Sequence, residues 1–273
     1  MNRSRNATHG EWVKIFTTKS WWVLALVMGL YVAFTAAVVA GSVALVGSSA
    51  AGVTTLSFGD SQLALMVYGL GPTVAYLFPV LLGALSVTSE YRHHTLGPTF
   101  VWNGSRTAVL GAKVSTQFLM GLLYGVLALA AAVLGSVFFF LHAGFPTALG
   151  SGETWLMFLR ATVAMGLWGA LGVGIGVLVR NQAAAIVVVL VFTQFLEPIL
   201  RMVGALNDTF AKVATYLPGA ASDAFTGASF YTGVFGAGSY QSLAWWGGGL
   251  LLAGYAASLI FLGWLLRWRG DVD

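Results

Sequence analysis

Along this chain, apolar stretches alternate with short polar gaps. Six stretches, at about 21–46, 63–88, 114–141, 155–179, 184–204 and 243–266, are long enough for a helix to cross a bilayer. About 20 residues at helical rise cover the roughly 30 Å hydrocarbon core. The pattern predicts an all-α membrane protein, a single six-span transmembrane domain over 1–273. The first stretch starts at Trp21 behind a polar, basic arm. It outlasts the roughly 7–15-residue core of a signal peptide, so it reads as an uncleaved first span.

Between the spans, three segments carry their own pattern. Residues 1–20 form a cytoplasmic arm in which Trp12, Ile15 and Phe16 share a helical face. Glu11 and Lys14 fall largely off it. This spacing reads either as an N-terminal interfacial amphipathic helix over 11–20 or as a plain charged anchor. Trp21 and Trp22 then sit at headgroup depth. The 205–242 segment is too long for a turn and contains Tyr216-Leu217-Pro218-Gly219 and a mildly apolar run, Ala220 to Phe235. It predicts re-entrant extracellular helices between spans 5 and 6. Pro72 and Pro79 lie in span 2, and Pro79 should bend it. Span 4 is glycine-rich. Gly172 and Gly176 make a GxxxG there, as do Gly121 and Gly125 in span 3. Such spacing lets helix backbones touch, here more within one subunit than between two.

Composition agrees with the pattern. Charged residues are 8% of the chain and hydrophobic ones 58%, against about 25% charged in soluble domains. The absence of cysteine excludes disulfides, thiolate metal sites and cysteine nucleophiles. Placement of charge says more than its sum. Ten Lys and Arg fall on the side of the N-terminal arm and three on the other, counting Arg160 and Arg201 there. The positive-inside rule then puts both termini in the cytoplasm. Basic residues so placed set orientation and do not indicate nucleic acid.

Arg160, Glu197 and Arg201 lie inside spans, where each charge costs about 2.5–3.5 kcal/mol at mid-bilayer. Arg160 and Glu197 fall at similar depth, about 8–10 Å below the outer boundary at 1.5 Å per residue. Glu197 and Arg201 are one turn apart, with Pro198 distorting that turn. Glu197 is expected to be neutralised by Arg160, Arg201 or both. That cluster is either a lock between spans 4 and 5 or a polar element of a substrate route. Nucleotide and hydrolase chemistry is missing: there is no phosphate-loop motif, no HExxH and no GxSxG. Glu90, His93 and His94 lack the spacing of a zinc motif, so no metal is expected.

The 89–113 loop is the richest. Glu90, Tyr91, Arg92, His93, His94 and Thr95 leave span 2. Leu96, Phe100, Val101 and Trp102 then make an apolar knob, Asn103-Gly104 a turn, and Ser105 a cap for the next helix. Charged flanks around an apolar knob suit either a short helix seated in a groove of a cytoplasmic partner or a solvated, orientation-setting loop.

At these residues the chain resembles the permease subunit of an ABC-2 type transporter. The likeness rests on Glu11-Trp12-Val13-Lys14 before Trp21-Trp22, on Glu90 with Thr95, Ser105-Arg106 and Lys113, and on Tyr216-Leu217-Pro218-Gly219-Ala220-Ala221 before the last span. Arg180-Asn181 after the Gly-rich span also fits. Family members often carry Gly where this chain has His94, and Pro where it has Gly104. The resemblance implies a bacterial exporter permease that pairs with a second permease subunit, as homodimer or heterodimer. Two copies of a separate ATPase subunit would bind the ATP and Mg, so the chain itself is not an enzyme. It further implies that residues 90–102 form the coupling helix on the ATPase, that 11–20 is the connecting helix, and that 206–242 gates exit. Tyr31, Phe34, Tyr68, Tyr76, Gln194 and Phe195 are candidate substrate contacts. The apolar spans favour an amphipathic, lipid-like or drug-like substrate, with membrane lipids as neighbours. The alternative is an ATPase-independent secondary carrier or a structural membrane subunit.

Overall fold

The computed structural model describes residues 3–49, 60–229 and 243–268, and all regular structure among them is helical. Six helices or helix pairs are long and apolar enough to cross a membrane: Ser20–Leu45, Gln62–Arg92, Arg106–Ala143, Gly152–Val179, Gln182–Gly204 and Trp245–Trp268. These are spans 1 to 6, and they match the apolar stretches of the sequence. The chain is a multi-pass membrane protein. In order, the elements are α1 (Arg3–Thr17), α2 (Ser20–Ser49), α3 (Asp60–Ala75), α4 (Leu77–Arg92), α5 (Leu96–Asn103), α6 (Arg106–Ala143) and α7 (Gly152–Val179). They continue with α8 (Gln182–Val191), α9 (Glu197–Leu206), α10 (Asp208–Ala214), α11 (Pro218–Thr226) and α12 (Trp245–Gly263).

Span 4 (α7) is the hub, packed against spans 2, 3 and 6 and α11. Its glycines make this possible. Gly169 lies against the Gln117 backbone of span 3, Gly172 and Gly176 against the Val80 and Ala84 carbonyls of span 2, and Gly174 against Leu259 of span 6. A Cβ at Gly176 would stand 2.6 Å from the Ala84 carbonyl oxygen. From the other side, Gly121 and Gly125 of span 3 lie against Met165 and Thr162 of span 4. Both GxxxG pairs therefore pack inside the subunit, as expected.

Proline decides where two spans bend. Pro79 has no N–H for the Ala75 carbonyl, and span 2 breaks there, α3 ending at Ala75 and α4 starting at Leu77. In span 5, Pro198 follows a π-helical turn, Phe192–Leu196, in which the Glu197 N–H bonds the Phe192 carbonyl. The Thr193 carbonyl would next look to residue 198, which has no N–H to give.

The N-terminal helix differs from expectation. It runs from Arg3 to Thr17 and turns Ala7, Glu11 and Ile15 inward against the bundle. Phe16, expected on the apolar face with Ile15, is exposed, while Trp12 is half-buried and stacks on Phe16 at 5.5 Å. In the 205–242 segment, α10 and α11 form, and α11 packs on α12 and α7. Residues 230–242 of that segment lie outside the described residues, as does the 50–59 loop.

Candidate functional site

Two buried polar clusters and one exposed knob carry the candidate chemistry. The first cluster sits where α1 meets spans 2 and 3. Lys113, wholly buried on α6, donates to Glu11 Oε2 (2.8 Å), Glu90 Oε1 (2.8 Å) and the Ser86 carbonyl (3.0 Å). Lys14 donates to Glu11 Oε1 (2.9 Å) and Glu90 Oε1 (2.7 Å). Two lysines thus face two carboxylates across three helices. A buried ammonium needs its partners in place, and that need outweighs the apolar face of α1 and turns Glu11 inward. Burial lowers the Lys14 pKa, but Glu11 and Glu90 more than offset this and hold it above the usual 10.5. Lys14's contribution to stability is therefore intact through neutral pH and is lost only as pH rises beyond that value.

Beside this ion knot lies the 90–102 element. Glu90 is buried in the knot and not exposed alongside the residues that follow it. Tyr91 is half-buried under the Arg180 guanidinium at 5.2 Å. Arg92, His93, His94 and Thr95 are exposed, Arg92 donating to Gln182 Oε1 at 3.2 Å. The predicted short helix forms as α5, closed by Gly104 at φ 64°, and Ser105 caps α6 by accepting from the Ala108 N–H. The apolar knob is split. Leu96 is buried, and Phe100 packs edge-on to Trp268 at 5.2 Å, whereas Val101 and Trp102 are 86% and 89% exposed. His94 adopts φ 54°, a left-handed conformation that glycine takes without strain. That is where the resembled family often carries glycine.

The second cluster lies inside the bundle. Arg201 donates to Asp223 Oδ2 at 2.6 Å, and Asp223 also accepts from Thr73 (3.0 Å) and Ser229 (2.9 Å). Arg160 lies over the Trp245 ring at 4.4 Å. The expected pairing of Glu197 with Arg160 or Arg201 is not a direct bridge: Arg201 is bridged to Asp223 and acts on Glu197 only as a nearby charge, and Arg160 is stacked on an indole. Glu197, fully buried, is approached by the Tyr76 hydroxyl at 3.3 Å and lies against Gly219. The same hydroxyl donates to the Thr193 carbonyl at 3.2 Å, the group that the π turn and Pro198 leave without an amide. Tyr76 stacks on Trp168, whose Nε1 donates to Ser222 at 3.1 Å.

Sequence reasoning missed Asp223. Its signal was a charge imbalance: two intramembrane arginines against one carboxylate, with an aspartate in the mildly apolar run after Pro218. Of the candidate substrate contacts, Tyr31, Phe34, Gln194 and Phe195 are exposed on spans 1 and 5. Tyr68 and Tyr76 are not available to a substrate route in this conformation. Tyr68 is buried, donating to the Thr147 carbonyl at 2.8 Å and edge-on to Phe140 and Phe158, while Tyr76 is held as described.

Compared with protein-family models and with curated proteins, the chain matches none.

Proposed function

We propose that this chain is the permease subunit of an ATP-driven exporter of the ABC-2 type. It would act as a dimer with two separate ATPase subunits, in a bacterial plasma membrane, with both termini in the cytoplasm. The observation that supports this best is the construction of α5. Two large apolar side chains, Val101 and Trp102, are bare at the helix tip, while Leu96 and Phe100 anchor the helix to the bundle. A surface helix spends such residues on a partner groove. Behind it, the Glu11, Lys14, Glu90 and Lys113 knot fastens the end of span 2 to α1 and span 3. A push on α5 by the closing ATPase would be delivered to all three as a rigid-body shift. An amphipathic substrate would pass between two permease subunits, along faces that include Tyr31, Phe34, Gln194 and Phe195.

One observation favours a second reading, a secondary carrier: Glu197 is a buried carboxylate with no salt bridge among the described residues. Carriers use such groups for coupling ions. Both readings are tested by one affinity purification of the tagged chain in mild detergent. Co-purification of a soluble subunit bearing a phosphate-binding loop, lost in V101S/W102S, supports the exporter. An intact chain with no such subunit, and proton-coupled uptake that stops in Glu197→Gln, supports the carrier.

A further inference from the structure

An open groove of about 700 Å³ runs along the outside of the bundle between spans 3 and 6, with span 4 behind it. Leu110, Val114 and Phe118 of span 3 and Trp264 of span 6 give it apolar walls, and Thr107 and Ser115 bring its only hydroxyls. The apolar stretch of span 3 begins at Val114 and that of span 6 ends at Leu266. The groove therefore straddles the membrane boundary, with Thr107 at headgroup level and Phe118 in hydrocarbon. Between those two residues it descends about 16 Å at 1.5 Å per residue. Its deep part has too few polar groups to hold water, so in a bilayer an acyl chain fills it. There is room for one, since a Cβ at Gly111, which lines the groove, would meet nothing within 4 Å.

Three arginines gather at the shallow end. Arg106 precedes Thr107, and its carbonyl accepts from Trp268 Nε1 at 2.7 Å. Arg267 is exposed one residue before Trp268, and its carbonyl accepts from Arg180 at 2.5 Å. All three act on Tyr91 as nearby charges. Neither Arg180 nor Arg267 has a carboxylate partner among the described residues, whose ion pairs lie in the knot and at Asp223. Guanidinium groups take phosphate oxygens two at a time. Basic pockets between spans at a membrane surface are where anionic headgroups are held. An acidic soluble partner could meet the arginines, but it could not reach Phe118, about three helical turns below Thr107.

We infer that this groove holds one anionic phospholipid, its phosphate on Arg267 within the field of Arg106 and Arg180 and an acyl chain laid along Leu110, Val114 and Phe118. The acyl chain supplies the fit and the arginines supply the choice of headgroup. What they select is net charge. A zwitterionic headgroup brings its ammonium into the same positive field and loses there much of what its phosphate gains.

The test is native mass spectrometry of the full chain in mild detergent, delipidated and then offered equal amounts of phosphatidylglycerol and phosphatidylcholine with the same acyl chains. Phosphatidylglycerol should be retained roughly tenfold over phosphatidylcholine, since each basic residue near a membrane surface is worth about fivefold for an anionic lipid. Arg267→Gln, at an exposed position, should cut that preference about fivefold and leave phosphatidylcholine retention unchanged. Gly111→Trp fills the groove without striking backbone and should lower retention of both lipids together. Equal retention of the two lipids by the parent chain overturns the inference, as does phosphatidylglycerol retention that either variant leaves intact. A lipid-free dimer that Gly111→Trp splits into monomers also overturns it, by giving the groove to a second copy of the chain. No ATPase enters this experiment, so its failure leaves the transport reading untouched.

Discussion

The two buried charge clusters answer the same problem in opposite ways. In the knot of Glu11, Lys14, Glu90 and Lys113, every charge has an opposite charge within 2.9 Å, and the members come from three separate helices. In the inner cluster, Arg201 and Asp223 are bridged, while Glu197 leans on a phenol and on the backbone near Gly219. The knot is a structural tie whose parts depend on one another. Glu197 is the loose member of its cluster: Arg201 lies near it but is bridged to Asp223, and its direct contacts are neutral groups that would hold an uncharged amide as well. Buried charge is therefore informative by how it is balanced, since a balanced group fixes the fold and an unbalanced one is left for function.

The largest effect should come from cutting the knot at its most buried member. Lys113→Met leaves Glu11 and Glu90 sharing only the half-exposed Lys14, and should cost about 3–5 kcal/mol. Thermal unfolding in detergent would register it as a chain that no longer folds cooperatively. Asp223→Asn keeps one acceptor, for Thr73, but puts an amide NH2 where Arg201 and Ser229 now donate and removes the charge facing Arg201. About 2–3 kcal/mol should be lost in the same assay. A gain is expected at the edge of the knot, where His94→Gly relieves a left-handed backbone and should raise stability by about 1 kcal/mol. The smallest change should be Glu197→Gln, within about 1 kcal/mol of the parent. A loss there as large as that of Lys113→Met would erase the contrast between the clusters and make Glu197 another structural tie.

What was legible in the sequence was what depends on neighbours in the chain. The spans follow from runs of apolar residues, the break at Tyr76 from Pro79, the end of α5 from Gly104, and the α6 cap from Ser105. The facing of α1 was not legible. Trp12, Ile15 and Phe16 suggested one buried face, but a lysine about a hundred positions later recruits Glu11 to the inside and leaves Phe16 outside. Asp223 was hidden for the same reason, as its partner Arg201 sits in another element. Tyr68 and Tyr76 carried the aromatic-plus-hydroxyl character of a ligand contact. Only the three-dimensional packing assigns their hydroxyls to the carbonyls of Thr147 and Thr193.

The glycine contacts divide the molecule into a chassis and a slider. Spans 1 and 3 touch backbone to Cα at Gly135, spans 2, 3 and 4 at Gly83, Gly121 and Gly172, and spans 4 and 6 at Gly174. Helices meshed so closely cannot shift a fraction of a turn without a carbonyl striking a carbon. Span 5 has no such mesh with another span among the described residues, its Gly204 facing only α10. Side-chain hydrogen bonds hold it to span 2, from Arg92 to Gln182 and from Tyr76 to Thr193 and Glu197. Those release by rotating a side chain, so a stroke along span 5 costs hydrogen bonds and the Arg201–Asp223 bridge to α11, whereas a shift among the other five spans costs backbone collisions.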